Sequence, residues 1–300
     1  MVFINDLFCE LNVSLPNCFA DDLKLLLSFP CNLTDDRLQN ELNIDESWAD
    51  KWLLKLNPQK CFVLHFGRNN ALHDYSIYGV SLLGKNEAKD LGVIVDTELR
   101  FTSQVDHILK NGNRALGMIL RTFSIRDPKH LVNLYKAYVL PILEYCSPLW
   151  NPHLLNEIDA IESVQRRFTR SFPALRNLSY PERLKTLGLD TLEYRRMKSS
   201  LALIYQSVNN NSTVFSTDLC KLHVRNQGPD SHSTRGHSKK LVVLRATSSN
   251  VKNFVFLRYA GLWNSLPEEV VSSPTLSSFK AALSKLDLSS HLVGRALRSE

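Results

Sequence analysis

Two adjacent carboxylates stand between apolar runs in the stretch Cys18-Phe19-Ala20-Asp21-Asp22-Leu23-Lys24-Leu25-Leu26-Leu27. Like charges this close repel, so half-burying the pair is costly unless a cation neutralises it. Carboxylate oxygens held at a rigid turn suit Mg²⁺ or Mn²⁺, and Mg²⁺ keeps several waters and also binds substrate phosphates. Ions in that position stabilise the attacking and leaving oxygens of a phosphoryl transfer. A solvated turn with no chemistry has the same Asp-Asp dipeptide. Support has to come from the surrounding elements.

Residues 17–28 read as strand, tight turn and strand, with Ala20-Asp21-Asp22 at the turn. Thr34 is the expected cap of a helix carrying Leu38, Leu42, Trp48, Trp52 and Leu56, which Asn57-Pro58 ends. Residues 60–67, 75–82 and 90–96 read as three strands, with 84–87 as the turn between the last two. Residues 1–101 are thus expected to be a mixed domain with a small antiparallel sheet. From Thr102 the apolar spacing becomes helical, through Val105, Ile108, Leu109, Leu116, Ile119, Leu120 and Phe123. Asp127-Pro128 reads as a cap and first helical residue, and Pro141 as a kink or stop. Residues 154–170 place Leu154, Ile158, Ile161, Val164 and Phe168 on one stripe, with Arg166, Arg167 and Arg170 off it. Ser179 with Glu182, and Asp190 with Glu193, have capping-box spacing before two further helices. The expected division is 1–101, a helical domain 102–208, a linker or exposed loop 209–240, and a tail module 241–300. The fold class is α+β.

The 300 residues are 44% hydrophobic and 22% charged, an ordinary globular composition. No run approaches a membrane span, and the start "MVFINDLFCEL" lacks a basic region before its apolar residues, so neither a membrane anchor nor a signal peptide is expected. Six cysteines without a C-x-x-C pair read as reduced thiols, which places the protein inside the cell, in nucleus or cytoplasm. Cys220 and His223 lack a second close pair, so zinc is set aside. Net charge is +6, yet residues 1–60 carry −5 and the remainder +11. A basic body behind an acidic head implies a polyanionic partner for the body and a cation for the head. Residues 166–198 concentrate Arg166, Arg167, Arg170, Arg176, Arg183, Lys185, Arg195, Arg196 and Lys198 against Glu182, Asp190 and Glu193. Phe168 and Tyr194, at helical spacing, read as core rather than as stacking platforms.

The acidic turn is followed in order by "LQNELNIDESWADKWLLKLNPQKCFVLHFG" (38–67), "KDLGVIVDTELRF" (89–101), "LYKAYVLPILEYCSPLWNP" (134–152), "IESVQRRFTR" (161–170), "LSYPERLKTLGLDTLEYRR" (178–196) and "FVFLRYAGLWNSLPEEVV" (254–271). Together these resemble the end of the palm, the thumb and the C-terminal tail of reverse transcriptases of non-LTR (LINE-type, jockey-like) retrotransposons. The resemblance implies Mg²⁺-dependent nucleotidyl transfer to a primer 3′ end. It implies Asp21 as the more direct metal ligand, with Asp22 completing or orienting the site. Lys60 falls on the basic residue of the palm segment after the catalytic hairpin, near primer or nucleotide phosphates. An RNA template with a DNA primer, or an RNA–DNA hybrid, would lie along the basic helices, with Arg166, Arg167, Arg170, Arg195 and Arg196 as phosphate contacts. Only 20 residues precede Asp21, too few for the fingers and the earlier palm strand that carries the third carboxylate. The expectation is therefore a fragment that is inactive alone. Asp6 is rejected as a substitute ligand. The alternatives are a non-catalytic nucleic-acid-binding module and an inert product of a degraded element.

Overall fold

Short hairpins, not the expected single strands, follow the first long helix. In the computed structural model the described residues are 6–11, 13–28, 36–67, 70–123, 127–209, 237–243, 245–246 and 249–294. The Thr34 cap, Cys220 with His223, and nearly all of the expected linker lie outside them. The chain forms two compact units, Met1–Leu99 and Arg100–Glu300.

The first unit runs α1 (Leu7–Glu10), β1 (Leu15–Phe19), β2 (Asp22–Leu26), α2 (Arg37–Lys51), β3 (Phe62–Leu64), β4 (Ser76–Ile77), β5 (Val80–Ser81), β6 (Leu83–Lys85), β7 (Glu87–Asp90) and β8 (Val93–Asp96). Strands β1–β2, β4–β5 and β7–β8 pair antiparallel, and β3–β6 pair parallel. Two expected strands are corrected. Residues 75–82 hold the hairpin β4–β5, with Ile77 opposite Val80. Residues 90–96 hold the turn and second strand of β7–β8, with Asp90 opposite Val93. The turns are Tyr78-Gly79 (φ 50° and 71°) and Leu91-Gly92 (φ 43° and 90°). Left-handed backbone at both central positions matches the twist of the flanking strands, and glycine adopts it without strain. Tyr78 and Leu91 are themselves apolar and lie next to apolar strand residues, which hides each turn from a pattern reading. Gly84-Lys85, read as a turn, belongs to β6, and the sheet is four separate pairs rather than one antiparallel sheet.

The regular elements of the second unit, among the described residues, are mainly helices: α3 (Thr102–Thr122), α4 (Pro128–Tyr138), α5 (Leu140–Glu144), α6 (Ser147–Trp150), α7 (Leu155–Arg170), α8 (Tyr180–Leu187), α9 (Leu192–Asn209), α10 (Ser249–Asn253), α11 (Val255–Ser265), α12 (Glu268–Val271) and α13 (Leu276–Leu283). Asp127 caps α4 by accepting the His130 amide, and Pro128 opens the helix. The chain breaks at Val139, and Pro141 sits in the first turn of α5, where its missing N–H costs nothing. Glu182 accepts the Ser179 amide at 2.8 Å, completing a capping box. The second box is corrected: Thr191 Oγ1 accepts the Tyr194 amide, Asp190 pairs with Lys198, and Glu193 reaches the Val293 and Gly294 amides.

Ile158, Ile161, Val164 and Phe168 of α7 are buried, while Leu154, read as part of the same stripe, is exposed. Phe168 stacks on Tyr135 with ring centres 4.2 Å apart. The tail does not stand apart. Met197, Leu201, Ile204 and Tyr205 of α9 share one core with Phe256, Trp263, Val271, Phe279 and Leu283. Residues 102–208 and the described tail are therefore one folded unit.

Candidate metal-binding hairpin and nucleic-acid interface

Phe19 pairs with Asp22, leaving Ala20 and Asp21 as the two central residues of a tight hairpin. Ala20 has φ 56°, a left-handed conformation that strains a residue with a Cβ. Asp21 and Asp22 are both exposed at this tip. Behind the tip the hairpin is anchored. Leu23 and Leu25 pack against the buried cluster of Leu7, Leu11, Trp48 and Ala49. The buried carboxylate of Glu41 accepts the amides of Val13 (2.6 Å) and Ser14 (3.0 Å) at the start of β1. Lys24 forms an ion pair with Asp90 of β7. Asp6 is held in the structure: it accepts the Leu7 amide and the Trp48 indole, each at 3.1 Å.

The donor set is two oxygen-bearing side chains on a braced tip. Among the described residues no three His, Cys, Asp or Glu side chains are grouped to hold a metal. Two exposed carboxylates fit an ion that keeps most of its waters, as Mg²⁺ does, and not a closed protein cage. Lys60 is exposed in the turn after α2, its amide bonded to the Asn57 carbonyl at 3.0 Å. No hydrogen bond or ion pair among the described residues joins it to the acidic tip.

The five arginines expected at phosphates separate. Arg167 and Arg170 are exposed on α7, and Arg167 donates to Asn113 of α3 at 3.2 Å. Arg166 turns toward α8, its guanidinium 5.3 Å from the Tyr180 ring and 3.9 Å from Asp159. Arg195 grips Glu144 with two hydrogen bonds, which hold its charge firmly. Arg196 is corrected: it is 0% exposed and donates to Asn151 at 3.1 Å. Burial lowers its pKa, and the nearby carboxylates of Glu162 and Glu193 oppose that shift. A guanidinium buried this way neutralises its own core and does not face a ligand. Glu162 is buried too, in a hydrogen-bond network of its own. It accepts from Tyr180 and from the Leu192 amide at 3.0 Å, and Gln165 donates to Tyr180 at 3.0 Å. Desolvation raises the Glu162 pKa, and the Tyr180 bond counters it.

The sequence reading missed a basic row on α3. Lys110, Arg114 and Arg121 are exposed, with Met118 between the last two. The signal was present: steps of four and seven residues inside a helix whose apolar face had already been read.

The chain is 28% identical over 159 residues to the RNA-directed DNA polymerase from mobile element jockey of Drosophila funebris, covering 51% of this chain and 17% of that protein. It is 28% identical over 183 residues to the probable RNA-directed DNA polymerase from transposon BS of Drosophila melanogaster, covering 57% of this chain and 19% of that protein. The jockey polymerase of Drosophila melanogaster matches at 25% over 161 residues. The chain is a relative of these retrotransposon polymerases. The matched stretch of this chain spans less than a fifth of the length of each. No family model matches the chain, and no solved structure matches it.

Proposed function

We propose that these 300 residues supply the end of the palm and the thumb of a non-LTR retrotransposon RNA-directed DNA polymerase. The observation that carries this reading is the two-residue hairpin, which puts Asp21 and Asp22 on an exposed, braced tip in a chain related to such polymerases. Bound there, Mg²⁺ or Mn²⁺ would stabilise charge on the attacking and leaving oxygens. Asp21 would be the more direct ligand, and Asp22 would orient it. The basic helical unit would hold an RNA template with its DNA primer through the phosphates, which needs positive charge rather than base-reading geometry.

By itself the chain is proposed to bind but not to extend. Among the described residues no third acidic group stands beside the two carboxylates, and metal binding and substrate positioning by two alone would be incomplete, these being the main contributions to phosphoryl transfer. The test uses the full chain, a primed RNA template, Mg²⁺ and deoxynucleoside triphosphates. Expected are salt-sensitive binding of the primed template and no primer extension. Extension abolished by Asp21→Ala would overturn the inactivity, and absence of binding at low salt would overturn the duplex-holding role.

A further inference from the structure

We infer that the duplex is held along α3, by Lys110, Arg114 and Arg121, with Arg167 and Arg170 of α7 as a second row beside it. This rests on the proposed function and names the surface that carries it. The two helices run side by side in the same direction. Thr102 at the start of α3 donates to Glu157 at the start of α7 (2.9 Å), and eleven residues further along α3 Asn113 accepts from Arg167 (3.2 Å). The inner side of α3 is committed to the core, with Val105, Ile108, Leu116 and Ile119 buried. Lys110, Arg114, Met118 and Arg121 therefore share the outer side at steps of four, four and three.

The cations of this unit divide by what already occupies them. Arg195 is held by Glu144, Lys198 by Asp190, and Arg166 by Asp159, while Arg183 and Arg196 are buried. Lys110, Arg114, Arg121 and Arg170 are exposed, and none is ion-paired among the described residues. One exposed carboxylate, Asp106, lies on the same side of α3, a turn before Lys110, and marks the end of the row. From Lys110 to Arg121 the helix rises about 16 Å. Over that length a duplex carries roughly ten phosphate charges. A row of separate long cations suits a repeating backbone charge better than one acidic pocket on a protein. Met118, 56% exposed, offers apolar surface between them to the sugar edges.

The experiment measures binding of the full chain to a primed RNA–DNA duplex by fluorescence anisotropy between about 50 and 200 mM salt. Two variants are compared with the parent: Lys110→Ala/Arg114→Ala/Arg121→Ala, and the control Arg195→Ala/Lys198→Ala. Circular dichroism monitors the fold, which the α3 triple should retain because its three side chains are exposed. The triple variant is expected to lose about tenfold or more in affinity at low salt and to flatten the log–log salt slope by about 2 to 3, since each lost phosphate contact removes about 0.9. The control is expected to stay near the parent. A parent that binds while the triple variant matches it in affinity and slope overturns this inference alone. A parent that does not bind overturns the proposed function and this inference with it. Competition by polyglutamate as strong as by duplex at equal charge would assign the row to an acidic protein and overturn the duplex assignment.

Discussion

The buried carboxylate of Glu41 accepts the Ser14 amide at 3.0 Å, and this bond ties α2 to the base of the acidic hairpin. The same carboxylate takes the Val13 amide, so two backbone donors rest on one charged acceptor. Hydrogen bonds to charged groups are each worth about 1.5–3 kcal/mol. Glu41→Ala should destabilise the first unit by about 2–3 kcal/mol in urea unfolding and speed hydrogen exchange at Ser14. A loss below about 0.5 kcal/mol would mean the anchor lies elsewhere.

Arg196→Met should be among the most damaging single changes in the second unit. The buried guanidinium bonds to Asn151 through Nε, its other two nitrogens have no hydrogen-bond partner among the described residues, and the charges of Glu162 and Glu193 act on it without an ion pair. Removing it leaves the Asn151 oxygen without that donor and the buried Glu162 without an opposing charge, a loss of about 1–3 kcal/mol. Thermal melts would measure this. Molecules that remain folded should still bind duplex, because Arg196 does not reach the surface. Arg196→Met that melts like the parent would refute the assignment.

Asp45, buried on α2 beside Glu46, should make the first unit more stable in mild acid. Burial, aided by the neighbouring Glu46 charge, raises its pKa from 3.8 to about 6. Between those values the folded state holds a proton that the unfolded state has released. Stability therefore falls as pH rises from 4 to 6 and levels off above, by on the order of 2 kcal/mol. Asp45→Asn should flatten this part of the pH profile. An unchanged profile in the variant would assign the titration to another group.

Mn²⁺ added to the chain without substrate should broaden nuclear resonances only near the hairpin tip, and only weakly, because sites of this kind rely on phosphate oxygens for much of their coordination. Asp21→Asn/Asp22→Asn should abolish the broadening and leave thermal stability unchanged, since both side chains are exposed. Tight stoichiometric binding that survives Asp22→Asn would contradict the assignment.

The parts of this molecule legible in the sequence were those fixed locally. Asp127-Pro128 and Ser179 with Glu182 cap helices through bonds three residues apart, so spacing suffices to find them. The acidic hairpin was legible because its two charges interrupt mainly apolar runs, Cys18-Phe19 before and Leu23 to Leu27 after. Hairpins β4–β5 and β7–β8 were not, because Tyr78-Gly79 and Leu91-Gly92 have apolar residues on both sides and read as the middle of one strand. Long-range partners were the larger gap. Nothing local in the sequence separates Arg195, on Glu144, and Arg196, in the core, from exposed Arg167. Glu193 looked like a capping residue and instead serves amides 100 residues downstream. The tail was read as separate because the core it shares with α9 is assembled from residues far apart in the chain, Tyr205 with Phe279 among them.

That distance sets an order of events during synthesis. The apolar side of α9, with Met197, Leu201, Ile204 and Tyr205, leaves the ribosome well before Phe279 and Leu283 exist to cover it. At about 5–20 residues per second the interval between Glu193 and Gly294 is roughly 5–20 s. Throughout that time the nascent helix carries an uncovered greasy seam. Chaperone capture, or premature pairing with a neighbouring nascent chain on the same messenger, competes with folding in this window. A ribosome stalled anywhere between α9 and α13 would hold the second unit in that sticky half-built form.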